Sequence, residues 1–260
     1  MGRNKVDRTG EIGVNNFGSE IIIIGYRKYS EIDVYFPEYD WTFKNATYQS
    51  FKNGEIKCPY EKRVYGIGYL GEGKYKPKEN GKHTKVYKTW KSMLGRCYDT
   101  KIQEKNPTYK NCSVTEEWHN FQNFAEWYNE NYYEIKGERM CLDKDILVKH
   151  NKIYSPETCI FVPNTINSLF VKCDKSRGES VIGTTPRKNS KYEAQCWLIN
   201  PKTGKSKNEY LGRYDSQEKG FEVYKYYKER NIKQVADYYK SLIPQKLYDA
   251  LYNYEVEIDD

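Results

Sequence analysis

The sequence predicts an α+β fold laid out as three successive segments, and three observations carry that prediction. Near the start, Ile32, Val34 and Phe36 alternate with Glu31, Asp33 and Tyr35, the period-two pattern of a strand with one buried face. Between residues 84 and 128, apolar residues recur at helical spacing instead. From 181 to 214, three strand-like runs separated by turn residues lead into a helical run.

The first segment, residues 1–80, reads as a β-rich domain. "SEIIIIGYRKYS" and "EIDVYF" are strands, and "ATYQSFKNGEIKCP" and "KRVYGIGYLGEG" read as shorter ones broken by Asn-Gly and Gly-rich turns. Several short strands in so few residues suggest a compact barrel or a curled sheet. Gly66, Gly68 and Gly71 make a G-x-G-x-x-G, but Pro77 and further glycines follow where a dinucleotide site needs a helix. These are turn and strand glycines.

The second segment, residues 84–172, is mixed. Val86, Trp90, Met93, Leu94 and Cys97 form one apolar stripe of a helix, and "KIQEKNPTYKNCSV" reads as a loop. A second helix carries Trp118, Phe121, Ala125 and Tyr128 on one face, with Ser113 and Glu116 spaced as a capping box. Cys97, Cys112, Cys141 and Cys159 lack C-x-x-C spacing and read as buried thiols rather than a zinc site. Two isolated histidines, His83 in a polar loop and His119 as a helix-surface or hydrogen-bonding residue, carry no site.

The third segment, residues 178–260, follows the polar linker "KCDKSRGES". Strands at 181–185, 192–199 and 208–214 are joined by turns at Pro186–Ser190 and Asn200–Lys205. The middle strand turns Ala194, Cys196 and Leu198 toward a helix capped by Asp215 or Ser216, and Glu193, Gln195 and Trp197 away from it. Two short helices are expected after it, one with Ile232, Val235, Ala236 and Tyr239, the other with Leu247 and Leu251 after Pro244.

Composition narrows the function classes. The 260 residues have a mean hydropathy of −0.96, yet 16% are aromatic and 27 are tyrosine, which argues against disorder. No run is long and apolar enough to span a membrane, and the N-terminus lacks a signal-peptide apolar core. Seven irregularly spaced cysteines fit reduced thiols, so an intracellular, cytoplasmic setting is expected. The net charge is +7, and residues 171–213 hold ten basic against four acidic side chains, so this stretch carries +6 of it. Such clustering beside an outward tryptophan is the electrostatic footprint of a nucleic-acid surface. The residues placed to contact DNA are Arg187, Lys188, Lys191, Gln195, Trp197, Lys205, Lys207 and Arg213.

Two resemblances sharpen the reading. The stretch from Trp90 to Phe170, with "WKSMLGRCY", "YKNCSV", "EEWHNFQNF" and "YSPETCIFVP", resembles the HNH-type homing endonuclease relatives of bacteriophages. The stretch from about 180 to 230, with "YEAQ" and "YLGRYDSQEK", resembles the AP2-type DNA-binding domain. The N-terminal segment resembles a β-rich region that accompanies similar phage proteins. The first resemblance implies a ββα hairpin that clasps one divalent metal. A histidine ending the first strand activates water, a loop asparagine steadies it, and an Asn or His on the helix binds the metal.

On this chain those positions fall on Asp143-Lys144-Asp145, Thr158 and Asn167. The base is therefore replaced by a lysine, a poor base at its ordinary pKa of about 10.4. Asp143, Asp145 and Asn167 offer oxygen ligands suited to Mg²⁺ or another divalent metal, and His150, six residues past Lys144, is the substitute base. Catalytic candidates are thus Asp143, Lys144, Asp145, His150 and Asn167. Two functions stand open: a metal-dependent DNA endonuclease in the bacterial host cell, or a catalytically inactive, metal-free nucleic-acid-binding protein. The second would act as a phage regulator or an inhibitor of a host nucleoprotein defence complex such as a CRISPR nuclease. A third reading makes the tyrosine-rich surfaces a purely protein-binding module.

Overall fold

The computed structural model describes residues 6–171, 180–188, 191–258 and 260. The linker at 172–179, with Lys172, Lys175 and Arg177 of the basic stretch, lies outside the described residues, as do 189 and 190 of the turn that follows. The chain has helices and several antiparallel sheets, an α+β fold. It divides into two compact units, Met1–Glu130 and Asn131–Asp260. The expected middle segment, 84–172, therefore contributes its helices to the first unit and its hairpin to the second.

In the first unit, β1 (Ile12–Val14), β2 (Glu20–Lys28), β3 (Glu31–Phe36) and β4 (Trp41–Ala46) pair as an antiparallel meander in that order. The sheet is open, with β1 and β4 as its edges, and does not close into a barrel. Ile32, Val34 and Phe36 are fully buried, as the alternation of β3 requires, and Ile21 and Ile23 from β2 join them. Helix α1 (Tyr48–Lys52), capped by the Thr47 hydroxyl on the Ser50 N–H, adds Tyr48 and Phe51 to this core.

The run "KRVYGIGYLGEG" makes only isolated pairings, Val64 with Gly68 and Tyr69 with Asn120, rather than strands. Gly68 is glycine because a Cβ there would collide with the side chains of Leu94 and Trp90. A small hairpin follows, β5 (Lys78–Glu79) and β6 (Lys82–His83), turning through Asn80 and Gly81, both at positive φ.

Helix α2 (Lys85–Tyr98) buries Trp90, Met93, Leu94 and Cys97 as its spacing dictates, and Thr84 caps it. The expected loop after it instead holds helix α3 (Thr100–Lys105), capped by the Asp99 carboxylate on the N–H groups of Lys101 and Ile102. No capping box forms farther on. Ser113 lies in β7 (Ser113–Val114), a single 3₁₀ turn covers Glu116–His119, and helix α4 begins only at Phe121 and runs to Asn131. The aromatic face is buried as expected, with the Trp118 ring 4.7 Å from Trp127 and 5.1 Å from Phe124.

In the second unit, β8 (Met140–Asp143) is followed by β9 (Ile153–Tyr154) and β10 (Ile160–Pro163). β8 and β10 pair antiparallel, Asp143 opposite Ile160, and β10 leads directly into helix α5 (Asn164–Asn167). The order is ββα, with a helix of one turn. The second sheet has the order β11 (Thr184–Arg187), β12 (Lys191–Ile199) and β13 (Ser206–Tyr214). Ser216 rather than Asp215 caps helix α6, accepting from the Lys219 N–H.

Helix α6 runs unbroken from Gln217 to Tyr239, so Ile232, Val235, Ala236 and Tyr239 belong to it and not to a separate short helix. Helix α7 (Gln245–Tyr252) follows Pro244 as expected. Val162 and Ile166 of the hairpin, Cys196 of the sheet, Ile232 of α6 and Leu247 of α7 share one core. No helix among the described residues is long and apolar enough to cross a membrane.

Candidate functional site

Three charged residues, Asp143 to Asp145, stand at the end of the half-buried strand β8, and their neighbours decide what each can do. Lys144 is only 6% exposed. Its Nζ donates to Asp145 Oδ2 at 3.0 Å and to the Asn151 carbonyl at 2.9 Å, and lies 5.9 Å from the centre of the Tyr154 ring. Asn151 closes the loop in return, its Nδ2 donating to the Lys144 carbonyl and to the Ile153 carbonyl, both at 2.7 Å. Held this way, Nζ serves both partners as a hydrogen-bond donor.

Asp143 Oδ1 accepts the N–H groups of Asp145 at 2.9 Å and Ile146 at 2.8 Å, an Asx turn that ends the strand. Burial, and next the charge of Asp145, pushes the Asp143 carboxyl up in spite of those two bonds. Thr158, at the loop-asparagine position, donates to the Ile153 carbonyl at 2.9 Å and shares a hydrogen bond with Ser155, so it serves the turn. Asn167 ends α5, and no hydrogen bond joins it to Asp143, Lys144 or Asp145.

His150 does not turn toward Lys144. It sits at a φ of 62° and its Nε2 lies 3.0 Å from Glu257 Oε2, near the carboxyl end of the chain. Lys149 beside it places Nζ 2.8 Å from both Glu257 Oε2 and Asp260 Oδ2. Among the described residues, His150, Glu257 and Asp260 are the one group of His, Cys, Asp and Glu close enough to share a cation. The Lys149 ammonium is already ion-paired with both carboxylates there. The expected ligands Asp143 and Asp145 do not belong to that group.

Cys97, Cys112 and Cys159 are buried as expected, Cys141 is only half-buried, none of the four is in a disulfide among the described residues, and burial pushes the Cys159 thiol up to about 12. His119 packs inward, its Nε2 3.1 Å from the Val114 carbonyl, and burial lowers its pKa. The His83 ring stacks on Tyr87 at 4.6 Å.

The second set of expected residues lies on the three-stranded sheet. Ala194 and Cys196 point into the core, so Glu193, Gln195 and Trp197 occupy the opposite face, and Trp197 is 59% exposed. Register then places the neighbours. Arg187 lies opposite Lys191, Arg213 opposite Glu193, Tyr210 opposite Gln195 and Asn208 opposite Trp197. Five of the eight expected contact residues, Arg187, Lys191, Gln195, Trp197 and Arg213, therefore share one face. Lys207 does not. It lies opposite Leu198, on the side that packs against the core, and reaches solvent at the sheet edge with Glu209 at 2.8 Å. Lys188 follows β11 and Lys205 sits in the turn before β13, so both border the face rather than form it.

The cations on the face are partnered. Glu193 holds Arg187 at 3.0 Å and Arg213 at 3.5 Å, and the Arg187 guanidinium lowers its carboxyl. Lys191 pairs with Asp215. Even so, residues 180–215 carry seven basic against three acidic side chains. Asn208 and Tyr210 were not among the expected contacts: alternation from Arg213 leads to Lys207, and a register shift between Ala194 and Gln195 puts Asn208 and Tyr210 on this face instead. The Asn208 amide donates to Gln195 Oε1 at 2.9 Å, and Tyr210 is exposed.

A scan against protein-family models, a search of curated proteins and a search of solved structures each returned no match to this chain.

Proposed function

We propose that residues 180–260 bind double-stranded DNA through the outward face of β11, β12 and β13, and that the hairpin at 140–167 supports this unit without hydrolysing the strand. The observation that carries it is the face itself. An exposed Trp197 stands beside Gln195, with Arg187, Lys191 and Arg213 on the flanking positions. The arginines and Lys191 neutralise phosphates, and Gln195, braced by Asn208, presents an amide to base edges. The ion pairs on the face do not oppose this. Exposed pairs contribute at most about 1 kcal/mol each, so a phosphate displaces a carboxylate at little cost.

The non-cleaving half of the reading is supported by the partners that Asp143, Lys144 and His150 already hold. Lys144 is an ion-paired donor, Asp143 Oδ1 is bound to backbone, and His150 engages Glu257. The resemblance to HNH and AP2 proteins then describes a related architecture whose metal-dependent chemistry is not in use.

Gel-shift titration of a duplex, run alongside supercoiled-plasmid incubation with Mg²⁺ and Mn²⁺, tests both halves. The expected result is retarded duplex, weakened about tenfold or more by Trp197→Ala, with no nicked circle at any metal concentration. Nicking that Asp145→Ala abolishes would return the protein to the endonuclease reading.

A further inference from the structure

Beside Trp197 the second unit holds a cleft of about 570 Å³, within the range of sites that enclose a small molecule. Trp197 and Gln195 line it, so it opens beside the face proposed to meet DNA. Its remaining walls mix aromatic side chains, Phe170, Tyr224 and Tyr254, with aliphatic and small polar ones, and carry two charged groups, Lys228 and Asp260. The Phe170 and Tyr254 rings lie 4.8 Å apart at 56° and brace each other. This composition selects among ligands. A purely aliphatic molecule would leave Lys228 and the Gln195 amide facing hydrocarbon, which costs free energy. A bare phosphate would leave four aromatic rings unused. A planar, heteroatom-edged ring uses both parts of the lining, with its faces on the aromatic side chains and its edge on the polar ones.

We infer that this cleft receives a single nucleobase displaced from the helical stack of the DNA held on the adjoining sheet face. The inference rests on the proposed DNA-binding reading and adds its substrate class: duplexes containing an unpaired or easily extruded base. Extrusion costs least where a base is already unpaired, so such sites are bound best.

Fluorescence anisotropy with three probes separates the possibilities: a perfect duplex, the same duplex with one unpaired adenine, and free deoxyadenosine monophosphate. The wild-type protein binds the bulged duplex about tenfold more tightly than the perfect one, the gain that one base stacked on aromatic side chains provides. Ser206 lines the cleft from the exposed end of β13, opposite Ile199, and Ser206→Phe narrows it from the solvent side. This variant brings the ratio to about one and leaves the perfect-duplex affinity unchanged, and Phe170→Ala lowers the ratio independently. A ratio of one in the wild-type protein, with the perfect duplex still bound, overturns the inference and leaves the DNA-binding reading standing. Failure to bind either duplex overturns both. Competition by the free mononucleotide at a ratio of one assigns the cleft to a free nucleotide and overturns a strand-borne occupant.

Discussion

Asp143 and Lys144 show how two adjacent charged residues take different fates from the same turn. The Asp143 carboxyl is pushed up to about 6, first by burial and then by Asp145, so the folded protein holds this proton more tightly than the unfolded chain. Its contribution to stability is therefore complete below the ordinary aspartate value of about 3.9 and is lost as pH rises through about 6. Asp143→Asn should flatten the stability profile across that window in urea titrations at stepped pH, and an unchanged slope would contradict the assignment. Lys144 is bound more tightly than an exposed lysine. Lys144→Ala leaves the Asn151 carbonyl without its donor and opens space against Tyr154, a loss of about 2 kcal/mol that the urea midpoint reads directly. The sequence displayed the Asp-Lys-Asp triplet plainly. It did not display the burial of the ammonium, because that depends on Asn151 folding back seven residues later to close the loop.

At the level of elements, the middle strand of the second sheet is fastened to α6 by one side chain. Asn231 is buried, and its amide accepts the Ile199 N–H at 2.8 Å while donating to the Ile199 carbonyl at 2.9 Å. Asn231→Leu strands two buried backbone groups, and a loss of about 2–4 kcal/mol in chemical denaturation is expected. Gly183 makes a second fastening of the opposite kind. It holds a φ of 76°, and an added Cβ would run into the Tyr224 ring of α6. Gly183→Ala should cost about 2 kcal/mol or more, through strain and overpacking together.

Elements with strong periodicity were legible. The alternation in β3 and in β12, and the apolar stripe of α2, appear in the structure face for face. The lapses have local causes. The length of α6 was missed although no proline interrupts residues 217–239. The Ser113–Glu116 spacing suggested a cap, but pairing as a strand had the stronger claim on Ser113. Helix α3 falls where the sequence reads as a loop, because its six residues hold one apolar side chain, Ile102, and show no helical stripe.

On the scale of the whole chain, the clustered positive charge was visible in the sequence, whereas its arrangement was not. Which side chains share a face depends on cross-strand register, and register separates Lys207 from Arg187 and Lys191 while bringing Glu193 between two arginines. The same limit applies to the hydrolytic residues. Spacing alone put Asp143, Asp145 and His150 within one short stretch, but hydrogen bonding directs them to separate partners.

The central claim, that three cations on one sheet face hold a DNA backbone, is tested most directly by the salt dependence of duplex affinity. Anisotropy titrations from low to moderate KCl should give a log K against log salt slope of about −3 or steeper, and Arg213→Ala should make it shallower by about 1. A slope near zero, or one that Arg187→Ala, Lys191→Ala and Arg213→Ala all leave unchanged, would contradict it.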